Sequence, residues 1–280
     1  MDTRGTALIG VLRAILPAPV KRLLRRIRNP HRILPDPSKL ALPQWPQEGD
    51  FTVVVVTYNA LDYTRLCLAS LGDASVVVVD NASTDGTPDE LRRRRVHLIA
   101  NDRNEGFPAA VNHGIASTDA RVIVILNNDT IVPPGTLSRL AHHALDPKIG
   151  LVVATTNYSA NESRVDADYA TLDGLLDFAA RRAREHDAER FDIGTAAMYC
   201  VALRREVWER VGPLDERFTI GMFEDDDYSE RVRRAGLRVV CAADAFVHHY
   251  GSASFDALSQ REYFTLMERN RRLFAEKWGG

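Results

Sequence analysis

An α/β fold with a mainly parallel central sheet flanked by helices is predicted by two features of the chain. Short β-branched apolar runs recur at residues 53–56, 76–79, 96–100 and 122–126, with helical patterns between them. Each run stops abruptly in a polar cluster: Thr57-Tyr58-Asn59, Asp80-Asn81-Ala82-Ser83, Asn101 to Gly106, and Asn127-Asn128-Asp129. Runs of this length and composition suit strands buried on both faces. Their alternation with helices calls for right-handed crossovers between parallel strands. Ligands of such sheets bind beyond the carboxyl ends of the strands. The four polar clusters, distant in sequence, are therefore expected to meet in space.

Taken in order, residues 62–71 predict a helix with Leu66, Leu68 and Leu71 near one face. Thr87-Pro88 reads as an N-cap followed by proline at the first helical position. Residues 107–116 and 134–145 are further helices. In the second half, 151–155 reads as a strand and 169–184 as an amphipathic helix turning Leu172, Leu175, Leu176 and Ala179 inward. A strand is expected at 195–203, a short helix at 205–211, and a helix at 224–235 with acids in its first turn and arginines in its last. Short strands follow at 238–241 and 246–248. A final helix over 259–277 carries Tyr263, Leu266, Leu273 and Phe274.

The chain of 280 residues, 45% hydrophobic, can bury one large core or two small ones. Its net charge of -2 argues against an electrostatic nucleic-acid binder. Cys67, Cys200 and Cys241 are widely spaced, without disulfide or zinc spacing, and read as reduced thiols of a cytoplasmic protein. No apolar stretch approaches the roughly 20 residues of a membrane span. Residues 1–32 are different in character: Arg4, Arg13, Lys21, Arg22, Arg25, Arg26, Arg28 and Arg32 stand against Asp2 alone, interleaved with apolar residues and split by Pro17 and Pro19. Such a segment can lie on an anionic membrane surface. It can equally be a solvated arm that packs on the domain or pairs with another subunit of a homo-oligomer. It lacks the long apolar stretch and cleavage site of a signal peptide. A proline-rich linker then leads to the folded part, giving an arm and linker at 1–50 and a domain at 51–280. The domain divides into 51–130, 131–258 and a C-terminal helix at 259–280.

Several residues could carry chemistry. Tyr58 at a strand end can stack on a nucleobase, and Asp80 can accept from a ring N–H; both also suit plain turns. Gly106 after Asn104 allows close backbone approach to a ligand or a tight turn. Asp129 offers a carboxylate to Mg²⁺ or Mn²⁺, and the His248-His249 pair is the best source of a second ligand. Glu224-Asp225-Asp226-Asp227 exceeds what a helix N-terminus needs. Mutual repulsion there raises at least one pKa and makes a proton acceptor near neutral pH.

Together these clusters resemble the inverting glycosyltransferases of family 2, with the GT-A fold. The resemblance rests on Thr57-Tyr58-Asn59, Asp80-Asn81-Ala82-Ser83, Asn104-Glu105-Gly106, Asn127-Asn128-Asp129, Glu224-Asp225 and His249-Tyr250-Gly251-Ser252, in family order. It implies a nucleotide-diphosphate sugar donor, a UDP-sugar or dTDP-rhamnose, and a glycan or lipid-linked acceptor. It implies base and ribose contacts from Thr57, Tyr58 and Asp80, with Asn59, Asn81, Asn104 and Gly106 in the same donor-binding set. Asn127-Asn128-Asp129 takes the place of the DxD-type motif, with Asn127 replacing an acid and Asp129 left as the metal carboxylate. Asp225 matches the general base, preceded by Glu224, and His249 fits the downstream metal-ligand position better than His248. The implied setting is cell-surface polysaccharide synthesis at the cytoplasmic face of the membrane. A sugar-nucleotide pyrophosphorylase would need a glycine-rich basic loop after the first strand, which Thr57-Tyr58-Asn59-Ala60 does not offer. A non-catalytic nucleotide-sugar-binding protein would not need both Asp129 and Asp225.

Overall fold

The computed structural model describes residues 34–43, 45–94, 96–251 and 259–279. The basic segment 1–32 and the stretch 252–258, with Ser252 of the last motif, lie outside the described residues.

The first half is built as the sequence predicts. β1 (Thr52–Thr57), β2 (Ser75–Asp80), β3 (His97–Ala100) and β4 (Val122–Asn127) alternate with α1 (Leu61–Ser70), α2 (Thr87–Arg93) and α3 (Phe107–Ala116). β1 pairs in parallel with both β2 and β4, and β2 pairs in parallel with β3. Val122 to Leu126 are all buried, because both faces of β4 are covered. Each such aliphatic side chain contributes about 1.5–3 kcal/mol relative to exposure. α2 begins at Thr87 itself, with Pro88 in its first turn, so Thr87 is not the cap. The capping is done by Asp85, whose carboxylate accepts from Thr87 N (2.9 Å) and from Leu61 N at the start of α1 (3.1 Å). One carboxylate thus serves two helix N-termini, where the helix dipoles favour negative charge.

The second half is mixed rather than parallel. It contains β5 (Thr130–Ile131), α4 (Thr136–Ala144), β6 (Ile149–Thr156), α5 (Leu172–Glu185), β7 (Arg190–Asp192), β8 (Cys200–Arg204) and α6 (Arg205–Val211). α7 (Glu224–Arg234), β9 (Arg238–His249) and α8 (Gln260–Trp278) complete it. The strand order is β3-β2-β1-β4-β8-β6-β9-β5, with β7 also on β9. β8 runs antiparallel between β4 and β6. The strand expected over 195–203 is confined to its end, because earlier backbone is drawn towards α7: Ala196 N donates to Ser229 Oγ (3.0 Å). The two strands expected at 238–241 and 246–248 are one bulged strand; Ala154 faces Ala242 while Thr155 faces Phe246. α5 and α8 form close to their predicted limits, α8 opened by a capping box between Ser259 and Glu262.

Candidate active site

The strand register brings the polar clusters level. Thr57 lies opposite Asp80, Asp80 opposite Ala100, and Val56 opposite Asn127. Side chains then cross between the ends. Ser83 donates its hydroxyl to Asp80 Oδ1 (2.5 Å) and accepts from Asn59 N (2.7 Å). Asn59 Oδ1 accepts from Thr84 N (2.8 Å). The half-buried Tyr58 directly follows β1, and the chain then turns through left-handed backbone at Asn59 and Ala60 (φ 56° and 63°). Asp80 is buried, and burial raises its pKa against the opposing hydrogen bonds from Ser83.

Several residues expected to touch a donor have their polar atoms engaged within the protein. Asn128 Nδ2 donates to Thr57 Oγ1 (3.1 Å) and Thr64 Oγ1 (3.0 Å), tying β4 to β1 and α1. Asn81 Nδ2 donates to Gly106 O (3.0 Å) and its Oδ1 accepts from Asn101 (2.8 Å). Asn104 Oδ1 accepts from Gly106 N (2.9 Å). Asn127 N donates to Tyr199 O (3.0 Å). Thr57, Asn81, Asn104 and Asn128 therefore frame the crevice. Gly106 has φ 88°, and a Cβ there would stand 2.1 Å from the Thr219 carbonyl oxygen. The glycine lets α3 abut the loop before α7; it need not be facing a ligand to be required.

Asp129 and His249 meet because β5 pairs with the end of β9, Thr130 against His249 and Ile131 against His248. His249 Nε2 lies 3.1 Å from Asp129 Oδ1, both side chains largely buried. Its Nδ1 lies 3.0 Å from the Tyr158 carbonyl, and its ring stacks on Tyr199 with centroids 5.3 Å apart. Asn157 fixes the His249 backbone from both sides (Oδ1 to N 2.8 Å, Nδ2 to O 3.1 Å). Burial lowers the His249 pKa, but the Asp129 charge and hydrogen bond and the Tyr158 carbonyl raise it above its usual value. His248, one residue earlier, points to the opposite face of the strand. There it bonds Tyr169 OH (2.8 Å) within an aromatic cluster, and burial pushes its pKa down to about 3. The ambiguity between the two histidines thus ends in geometry: only His249 adjoins Asp129.

The four acids of α7 separate by helical rotation. Asp227 is fully buried between Arg231 (3.0 Å), Lys277 (2.7 Å) and Trp278 Nε1 (2.9 Å), and so secures α8. Asp226 accepts from Thr195 Oγ1 (2.6 Å). Burial pushes Asp225 up to about 7, the Asp226 charge adding to it and backbone N–H groups opposing it. Burial, followed by the Asp225 charge, holds Glu224 well above the usual carboxylate range. The segment 194–199 runs from Asp226 at one end to Tyr199, stacked on His249, at the other, and so connects the α7 acids with the Asp129–His249 pair.

Asn157 and Tyr158 were not among the expected site residues. They end β6 as Asn127 to Asp129 end β4, so the same strand-end rule applied to a fifth run would have found them. Tyr199 and Asp85 carry no comparable sequence signal.

A profile described as Glycosyl transferase family 2 matches residues 52–211. "Uncharacterized protein y4gI" of Sinorhizobium fredii is 26% identical over 75% of this chain, which spans only 26% of that protein. The N-acetylglucosaminyl-diphospho-decaprenol L-rhamnosyltransferase of Mycobacterium tuberculosis is 28% identical over 72% of this chain and 76% of its own length. The mannosyltransferase PcManGT of Pyrobaculum calidifontis, solved with GDP-Man and Mn²⁺, superposes with a TM-score of 0.54 at 20% identity, covering 89% of this chain and 76% of its own. The chain belongs to glycosyl transferase family 2 and has the GT-A-type fold.

Proposed function

We propose that this family 2 glycosyltransferase moves a sugar, with inversion, from a nucleoside-diphosphate donor to a hydroxyl of a glycan or lipid-linked acceptor in cell-surface polysaccharide synthesis. The carrying observation is the Asp129–His249 pair, 3.1 Å apart at the carboxyl end of the parallel strands. Two ligands on one edge of an octahedral shell, each about 2.1 Å from the ion, stand about 3 Å apart, so the pair fits Mg²⁺ or Mn²⁺. Nδ1 facing the Tyr158 carbonyl favours the tautomer that presents the Nε2 lone pair to a metal. Among the described residues no third His, Cys, Asp or Glu joins the pair. Diphosphate oxygens and water would complete the shell of a bound ion. A bound ion would neutralise charge building on the departing diphosphate.

Tyr58 at the rim stacks on the base and Asp80 accepts from its ring N–H. The ends of β1 to β4 hold the ribose and diphosphate. Asp225 takes the proton from the acceptor hydroxyl as that oxygen bonds to the anomeric carbon and the bond to the diphosphate oxygen breaks. A single displacement inverts the anomeric centre. The rhamnosyltransferase relative supports a rhamnosyl donor with a lipid-linked acceptor, for which dTDP-rhamnose is the donor proposed, and the mannosyltransferase supports Mn²⁺ with a nucleotide sugar. UDP-sugars stay within the proposal. Among the described residues no helix is long and apolar enough to cross a membrane. Attachment to a membrane surface through residues 1–32 is supported by their basic residues and the apolar ones interleaved with them.

A thermal-shift screen of UDP-, dTDP- and GDP-sugars with and without Mn²⁺ tests the reading. One donor should raise Tm in a metal-dependent way, by about 2.7 kcal/mol of linked stabilisation at a hundredfold excess over Kd. No shift with any nucleotide sugar would remove the donor site.

The base assignment also predicts a pH profile. Activity should rise with pH through an apparent pKa near 7, since Asp225 must be ionised to accept a proton. Asp226→Asn removes a neighbouring negative charge while keeping an acceptor for Thr195. It should move the acid limb to lower pH; an unmoved limb would show that the titrating group lies elsewhere.

A further inference from the structure

The only buried side chain of α8 is polar. Asn270 points its amide nitrogen at three backbone carbonyls of one loop: Phe218 O (2.8 Å), Gly221 O (2.9 Å) and Met222 O (3.1 Å). Arg269 beside it donates to the Thr219 hydroxyl (3.0 Å) and the Arg217 carbonyl (3.1 Å). One helical turn later, Phe274 packs on Phe223, ring centroids 5.9 Å apart. The loop leads directly into Glu224 and Asp225.

Its path is strained. Thr219, Met222 and Phe223 hold φ of 52°, 76° and 71°, values that non-glycine residues adopt only when surroundings impose them. From the other side the Thr219 carbonyl is backed by Gly106 at the start of α3. Asn112 on the same helix bonds Leu214 and Glu216 just upstream. Residues 214–223 are therefore held both from α3 and from α8.

We propose that Asn270 is a positioning residue for the transfer reaction: its amide holds residues 218–223 in the strained path that delivers Asp225 to the acceptor side of the donor crevice. This rests on Asp225 as the base. Without the amide, the two N–H groups shared among the three carbonyls are lost, Phe218 O keeping its bond from Gly221 N (3.2 Å), and the loop can relax towards negative φ. That rotates the chain entering α7 and displaces the carboxylate. The crevice formed by β1 to β4 takes no hydrogen bond from Asn270, so donor affinity should survive. A misplacement of about 1 Å at a reacting group can cost about 10²-fold in rate.

The test uses the full chain with the donor it turns over. Asn270→Ala should lower kcat by on the order of 10–100-fold while donor KM stays within about threefold. Hydrogen exchange should quicken at amides 218–223 and stay unchanged in β1 and β4. Arg271→Ala, whose guanidinium pairs with Glu268 on its own helix, should match the parent in every readout. If Asn270→Ala does not fold, Arg269→Ala, at an exposed position, carries the same measurements with a smaller loss. A parental kcat in the folded variant, or faster exchange spread evenly through β1 and β4 with kcat and KM failing together, overturns the proposal. Asp225→Asn run in parallel separates the two ideas. Parental turnover there removes the base, whereas its loss beside a parental Asn270→Ala removes only the clamp.

Discussion

Asp225→Asn should lose transfer by about 10²–10⁴-fold, the usual worth of a general base, while binding its donor as the parent does. The substitution keeps size and shape and removes the negative charge and with it the capacity to take a proton. The half-buried Asp225 stands in the first turn of α7, beside Asp226 and the buried Glu224, and burial lifts it to about 7 from an ordinary 3.8. A carboxylate so shifted accepts a proton from a sugar hydroxyl better than an exposed aspartate would. The same shift fixes a stability effect. Folded Asp225 holds its proton more tightly than the unfolded chain does. Its contribution is therefore full below the unfolded pKa and is lost as pH rises through about 7. The asparagine variant should accordingly gain stability relative to the parent above pH 7 and lose that advantage in acid. Turnover kinetics at saturating donor, with urea melts at two pH values, check both halves. Parental turnover would show that another group accepts the proton.

Asp129→Ala is expected to weaken Mn²⁺-dependent donor binding by more than the roughly 10–100-fold that loss of even an outer-shell partner costs. Among the described residues, Asp129 supplies the one carboxylate paired with His249 Nε2, at 3.1 Å, and its backbone carbonyl also accepts from Tyr250 N (3.0 Å). The alanine keeps the backbone bond and the β5–β9 pairing, so the effect should fall on the metal rather than on the fold. Calorimetry with nucleoside diphosphate, with and without Mn²⁺, separates the two. The parent should show a large metal-dependent gain that the variant lacks. Equal affinity in both proteins with Mn²⁺ present would place the ion elsewhere.

Much of this was legible in the sequence because buried parallel strands announce themselves twice, by β-branched runs and by the polar residues that end them. β1 to β4 and the convergence of their ends followed from that pattern. The second half was harder. β5 is two residues long and β7 three, too short for any periodicity, yet β5 is what joins Asp129 to His249. The choice between His248 and His249 depended on which face of β9 each occupies, and that is set by this same pairing. Residue type did not reveal division of labour either. Thr57 and Asn128, expected as donor contacts, also bond each other at 3.1 Å, and four consecutive acids look alike although Asp227 holds α8. Asn270 gave no signal, since its partners are backbone carbonyls some 50 positions away.

The most direct test of the whole arrangement is pulsed electron paramagnetic resonance of Mn²⁺ bound with nucleoside diphosphate. The account predicts a nitrogen coupling from an imidazole on the ion that disappears in His249→Gln and persists in His248→Gln. A spectrum without nitrogen coupling, or one indifferent to replacement of His249, would contradict it.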